Sequence, residues 1–205
     1  MTTEASVFEK TYRDYISQVA GIDFRSVEQP LGIQAEGRGI TIPLFGELYK
    51  VSEGGITDPS GKRPSLDICV ILCKHLLLCP ATGPQESEWV SYRDLKDSGP
   101  LTVYFLNDVE RAMADHFSGR LDVLKEACRA LGGYRPHIDA SYDLSMQFDA
   151  LPRVPVMLLF NDADNEFQTK SNVLFERRAE SYLDPECLAM LGRLLFTSLK
   201  RLEVP

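Results

Sequence analysis

The chain has 205 residues, 44% of them hydrophobic and 25% charged, which suits one globular domain and excludes disorder. Its 22 basic and 30 acidic residues give a formal net charge of −8. That argues against nucleic acid or an anionic membrane as main partner, because both need a local excess of Lys and Arg.

The chain opens with Val7, Phe8, Tyr12, Tyr15, Ile16 and Val19 on one helical face, stopped by Gly21. Ile40, Ile42 and Leu44 alternate with polar or small residues. Leu48 to Val51 follows Phe45-Gly46-Glu47, so a small hairpin is expected. Residues 53–64 read as loop, turning at Asp58-Pro59-Ser60-Gly61. Ser65 to Cys79 is apolar almost all round, the pattern of a buried helix, and Pro80 ends it. Trp89 to Leu95 opens a short strand. Phe105, Val109, Ala112, Met113, His116 and Phe117 trace one helix face, and Leu121, Leu124, Cys128 and Leu131 another, stopped by Gly132-Gly133.

Residues 139–149 alternate polar and apolar, Leu151 to Pro155 reads as a turn, and Val156 to Phe160 is an apolar strand. Lys170 to Leu183 is mixed. The last helix is capped by Asp184, with Pro185 at its first position and Glu186 facing the dipole. Leu188, Leu191, Leu195 and Leu199 form its buried stripe. Strands and helices do not alternate as βαβ units do. The expected fold is therefore α+β: one domain over 1–205, with an antiparallel sheet around a central hairpin (about 139–160) and helices packed on it.

The longest apolar run, Ile68 to Cys73, is broken by Lys74 and His75, far short of a bilayer crossing. Met1 to Lys10 lacks a basic start and an apolar core, so no secretory leader is expected. A cytoplasmic setting with reduced thiols follows for the five irregularly spaced cysteines. Cys69, Cys73 and Cys79 match no zinc or iron–sulfur spacing and read as small hydrophobes. Gly37-Arg38-Gly39 lacks the third glycine of a dinucleotide fingerprint.

Chemistry, if present, lies around the hairpin. In one register Asp149 faces Val156. Asp143 then faces Asp162, Ser141 faces Asp164 and Asp139 faces Glu166. Such a cluster needs a divalent cation between the carboxylates, or a retained proton. A slip of one residue puts Tyr142 opposite Asp162. That register also pairs Leu144, Met146 and Phe148 with Phe160, Leu158 and Val156, which makes the better core but disperses the acids. The run from Asp162 to Glu166 is not an EF-hand, since its sixth position is Phe167 and its twelfth Val173. The candidate cation ligands are Asp139, Asp143, Asp162, Asp164 and Glu166. His137, two residues from Asp139, is the candidate general base. His116 reads as a hydrogen-bonded core residue. Trp89, Tyr92 and Arg93 either line a ligand pocket or pack in the core.

Several segments resemble a prokaryotic family known as a domain of unknown function (DUF3786). They are Trp89-Val-Ser-Tyr-Arg-Asp-Leu95, Leu131-Gly-Gly133, Asp139, Leu151-Pro152 through Val154-Pro155 and Asp164-Asn-Glu-Phe167. Leu174-Phe175, Ser181-Tyr-Leu183 and Leu191-Gly192 complete the set. The likeness runs from about Ser65 to the C-terminus, which leaves 1–64 as an N-terminal helix and small hairpin ahead of a family-like part, 65–205. It implies no assigned activity. Some relatives look fused to an iron–sulfur module that accompanies corrinoid methyl carriers, which implies a setting near corrinoid or one-carbon metabolism. This sequence carries no cysteine-rich segment before the likeness, so no cluster is expected. It also has Asn165 and Gln168-Thr169 where the family tends to carry Glu and proline.

Two readings follow. One is a non-catalytic accessory protein that offers the sheet face and the loop of Asp164, Glu166 and Phe167, with Trp89 and Arg93, to a small molecule or a protein partner. The other is a divalent-cation enzyme built on the acidic cluster.

Overall fold

The computed structural model describes residues 3–137 and 141–203. Helix α1 (Thr3–Val19) and the short α2 (Glu28–Leu31) lead into strands β1 (Ala35–Glu36), β2 (Gly39–Leu44), β3 (Glu47–Ser52) and β4 (Gly55–Thr57). The expected small hairpin is thus the centre of a four-stranded antiparallel meander. Its β2–β3 turn is Phe45-Gly46, with both residues at positive φ (48° and 80°), as a two-residue hairpin turn requires. Phe45 tolerates that conformation because its surroundings hold it. Its N–H donates to the Ala150 carbonyl at 2.9 Å, and its ring meets Phe148 edge-on at 6.3 Å.

Helix α3 (Leu66–Leu77) buries Cys69, Ile71, Leu72, Cys73, His75 and Leu76 and packs against α1. It ends ahead of the expected Cys79, because Pro80 disfavours helical backbone at the residue before it. The strand expected over 89–95 is only β5 (Trp89–Ser91). A 3-10 turn, Tyr92–Asp94, follows it and turns Tyr92 inward.

Helices α4 (Thr102–Phe105) and α5 (Ala112–Phe117) are joined by a π-helical stretch, Leu106–Arg111. Phe105, Val109, Met113 and Phe117 are four apart and all buried. An α-helix would rotate such a row away from the core, and the wider π turn returns it. Helix α6 (Leu121–Ala130) follows.

The second sheet comprises β6 (Leu144–Leu151), β7 (Val154–Asn161) and β8 (Lys170–Glu176), in the antiparallel order β5-β8-β7-β6. Strand β8 lies in the segment read as mixed. The β6–β7 turn is tighter than the expected 151–155: only Pro152-Arg153 turns, and Leu151 pairs with Val154. A bulge between Phe148 and Leu151 falls opposite Pro155, which has no N–H to offer the ladder. The last helix, α7 (Pro185–Arg201), starts as expected, with the Asp184 side chain accepting from the Cys187 N–H at 2.9 Å. It packs on α3, α6 and the 102–117 helix. One apolar core joins both sheets and the helices. Among the described residues no helix is long and apolar enough to cross a membrane.

Candidate functional site at the open end of the central hairpin

The hairpin takes the second register. Leu144 pairs with Phe160, Met146 with Leu158 and Phe148 with Val156. All six side chains are buried, and burial decides the register because a one-residue slip of β6 would set Leu144, Met146 and Phe148 on the opposite face from their three partners. The first register, which faced Asp143 with Asp162 and Ser141 with Asp164, does not form.

The acids at this end act as acceptors for the backbone. Asp143 and the β7 terminus close the hairpin reciprocally. The Asp143 N–H donates to Asn161 Oδ1 at 3.1 Å, and Asp143 Oδ2 accepts the Asp162 N–H at 2.8 Å. Asp162 Oδ1 accepts from the N–H groups of Gly119 (2.8 Å) and Ala163 (2.9 Å) and from the Thr169 hydroxyl (3.2 Å). Burial raises this carboxyl, but those donors outweigh burial and hold it below the ordinary range. Asp162 therefore ties the 118–120 loop to the sheet.

Asp164 Oδ1 accepts from the N–H groups of Glu166 (2.8 Å) and Phe167 (2.7 Å), and these donors lower its carboxyl in turn. It shapes an Asx turn that leaves Glu166 exposed and Phe167 69% exposed. Among the described residues no three His, Cys, Asp or Glu side chains are placed to hold a metal ion. Asp139 lies outside the described residues, and its expected pairing with the exposed His137 lies outside with it.

The other expected residues are spread out. Trp89 is half-buried on the edge strand β5, opposite Glu176. Arg93 is exposed and lies 3.8 Å from Asp94. Tyr92, read beside them, is a core residue: it stacks on Phe105 at 4.2 Å and donates to the Pro185 carbonyl at 2.8 Å. His116 is hydrogen-bonded, as expected, to the Glu203 carboxylate, but it is half-buried and not a core residue. That bond, together with Arg120 at 2.7 Å, lowers Glu203.

Beside Asp143 the structure opens a cleft of about 470 Å³ that the sequence reading missed. Lys125 and Arg129 reach it from α6, one helical turn apart. Helix α6 then stops in a Schellman motif. The Gly132 N–H donates to the Arg129 carbonyl (3.0 Å) and the Gly133 N–H to the Cys128 carbonyl (2.8 Å), with Gly132 at φ 82°. The chain next pairs with β6 through Tyr134 and Gln147, which exchange both backbone hydrogen bonds (2.9 and 2.8 Å). That pairing presents Tyr134 and Arg135 to the cleft, across from Tyr142.

The Tyr134 hydroxyl donates to Asp149 at 2.9 Å and accepts from Gln147 at 2.8 Å. Burial first, and then Asp149, push its pKa up to about 12. The hydroxyl is thus occupied and its ring is held in place at the surface. Lys125 also pairs with the exposed Asp122 at 3.2 Å. The cleft is a cationic, tyrosine-walled recess in an acidic protein. The one signal for it in the sequence was the i, i+4 pair Lys125 and Arg129.

A sequence model of one protein family, described as a domain of unknown function (DUF3786), matches residues 23–198. The match starts ahead of Ser65 and takes in the N-terminal meander. No curated protein and no solved structure matches the chain.

Proposed function

The chain belongs to the DUF3786 family, and on that premise we propose that it is a non-catalytic binding protein whose ligand is a small, flat anion held in the cleft beside the hairpin. The observation that carries this is the convergence of Lys125, Arg129 and Arg135 with Tyr134 and Tyr142 around a recess of about 470 Å³. That volume is within the range of small-molecule sites, roughly 300–1,000 Å³. Guanidinium groups match carboxylate or phosphate oxygens, and tyrosine rings offer flat area at low entropic cost. Concentrating cations on one face of a chain with net charge −8 opposes the molecule's overall field, which favours a ligand that needs them. The setting near corrinoid or one-carbon metabolism belongs to the same proposal and rests on the family resemblance alone.

Anilinonaphthalene sulfonate, a flat aromatic anion, is a suitable probe. Saturable one-to-one binding with enhanced fluorescence is expected, weakened at least tenfold by Arg129→Gln combined with Arg135→Gln. Absence of saturable binding, or equal binding by the double variant, overturns the proposal.

A further inference from the structure

A second cavity, of about 250 Å³, lies at the opposite end of the hairpin, among Gln29, Gly83, Gln85, Arg153, Arg178 and Tyr182. Its parts come from distant places in the chain. Arg153 is the second residue of the β6–β7 turn and has φ 66°, a conformation that costs a non-glycine residue free energy and persists where its surroundings enforce it. Its Nε donates to the Pro30 carbonyl at 3.3 Å, and its guanidinium covers Gly32, where a Cβ would come within 3.0 Å.

Arg178 follows β8. Its Nε is buried 2.5 Å from Glu176 Oε2, and the two form an ion pair. Tyr182 is 0% exposed, and its hydroxyl has no hydrogen-bond partner among the described residues. The backbone of Gly83 lies across that hydroxyl, where a Cβ would stand 3.2 Å from the oxygen.

A buried hydroxyl without an acceptor is costly, and native proteins rarely leave one so. Tyr182 lines the same recess as two guanidinium groups, those of Arg153 and Arg178. The charge of Glu176 offsets only one of them.

We propose that this cavity binds a small oxyanion, with Arg153 and Arg178 meeting its oxygens and the Tyr182 hydroxyl donating to it. Burial raises the Tyr182 phenol, which keeps it protonated and able to donate. Phosphate esters and carboxylates share the required chemistry, a compact anion with oxygens on two sides. The site is separate from the hairpin cleft, and neither proposal depends on the other.

Calorimetric titration of the full chain at low salt, with inorganic phosphate and separately with succinate, tests this. Saturable binding of at least one anion is expected, weakened at least tenfold in Arg153→Asn and in Tyr182→Phe. Asparagine tolerates the left-handed conformation, so Arg153→Asn removes the guanidinium without forcing the turn. A preference for phosphate assigns a phosphate ester, and a preference for succinate assigns a carboxylate. Arg129→Gln, in the hairpin cleft, should leave the binding unchanged. The inference fails if neither anion saturates by about 10 mM. It also fails if Arg153→Asn binds as the parent does, or if Arg129→Gln alone abolishes binding.

Discussion

Gly133→Ala tests whether the end of α6 builds the cleft. A Cβ at this position would sit 2.7 Å from Phe148 Cε1 and 2.8 Å from the Cys128 carbonyl oxygen. That carbonyl already accepts the Gly133 N–H at 2.8 Å, so the backbone cannot retreat without losing the bond. Overpacking costs about 1–3 kcal/mol and the lost hydrogen bond about 1 kcal/mol, together about 2–4 kcal/mol. Gly132→Ala is the control. Its Cβ would meet nothing within 4 Å among the described residues, where only its φ of 82° opposes it, at roughly 1–2 kcal/mol. For a chain of this size 1 kcal/mol moves Tm by roughly 2–4 °C. Thermal and urea unfolding should therefore place Gly133→Ala roughly 4–16 °C below the parent and clearly below Gly132→Ala. Naphthalene sulfonate binding should weaken with it, because Tyr134 and Arg135 follow directly. A Gly133→Ala protein no less stable than Gly132→Ala, with binding intact, refutes the reasoning.

Asp164→Asn with Glu166→Gln should unfold within about 0.5 kcal/mol of the parent, since asparagine keeps the Oδ1 that accepts from residues 166 and 167. Elemental analysis should find the same metal content in both proteins, and loss of a stoichiometric metal in the double variant would revive the cation reading. His75 is fully buried, both its ring nitrogens lack a hydrogen-bond partner among the described residues, and burial lowers its pKa to about 3. The unfolded chain binds a proton there near pH 6.5 and the folded chain does not. Folding stability contributed at this position is therefore intact above about pH 6.5 and falls by up to about 1.4 kcal/mol per pH unit on acidification toward pH 3. His75→Leu should remove that slope from urea midpoints measured at pH 4 to 7, and an unchanged slope would assign the acid sensitivity to another group. Asp184→Ala removes the α7 cap and leaves Lys74, now 3.0 Å from that carboxylate, without its partner. A loss of about 1–2 kcal/mol is expected in urea unfolding, and a loss below about 0.3 kcal/mol would mean the cap is dispensable.

Local chemistry carried much of the fold. Asp184-Pro185-Glu186 marks the start of α7 and Gly132-Gly133 the stop of α6, because caps need particular residues at particular positions. The hairpin register was legible only as a choice between two pairings, and the structure takes the one that buries six apolar side chains. Strand β8 was not legible: Lys170 to Glu176 carries polar residues, and its place between β5 and β7 depends on partners far away in sequence. The candidate site was less legible still. The acids drew notice because they are close in sequence, yet backbone donors supplied by the fold use them as acceptors. The cations of the cleft come from α6 and from the segment after it. Arg153, Arg178 and Tyr182 meet only because a turn and a strand end are brought together by the sheet.

The strand order β5-β8-β7-β6 also bears on how the protein is made. The N-terminal meander joins neighbours in sequence and can close while the ribosome is still adding residues. Strand β5 must wait for β8, so Trp89 and Val90 stay without their partners Glu176 and Phe175 until most of the chain has emerged. A premature stop between β5 and β8 would leave that edge, and the aromatic cluster of Tyr92 and Phe105 behind it, permanently open. Truncated products of this chain should therefore aggregate instead of persisting as a smaller folded unit.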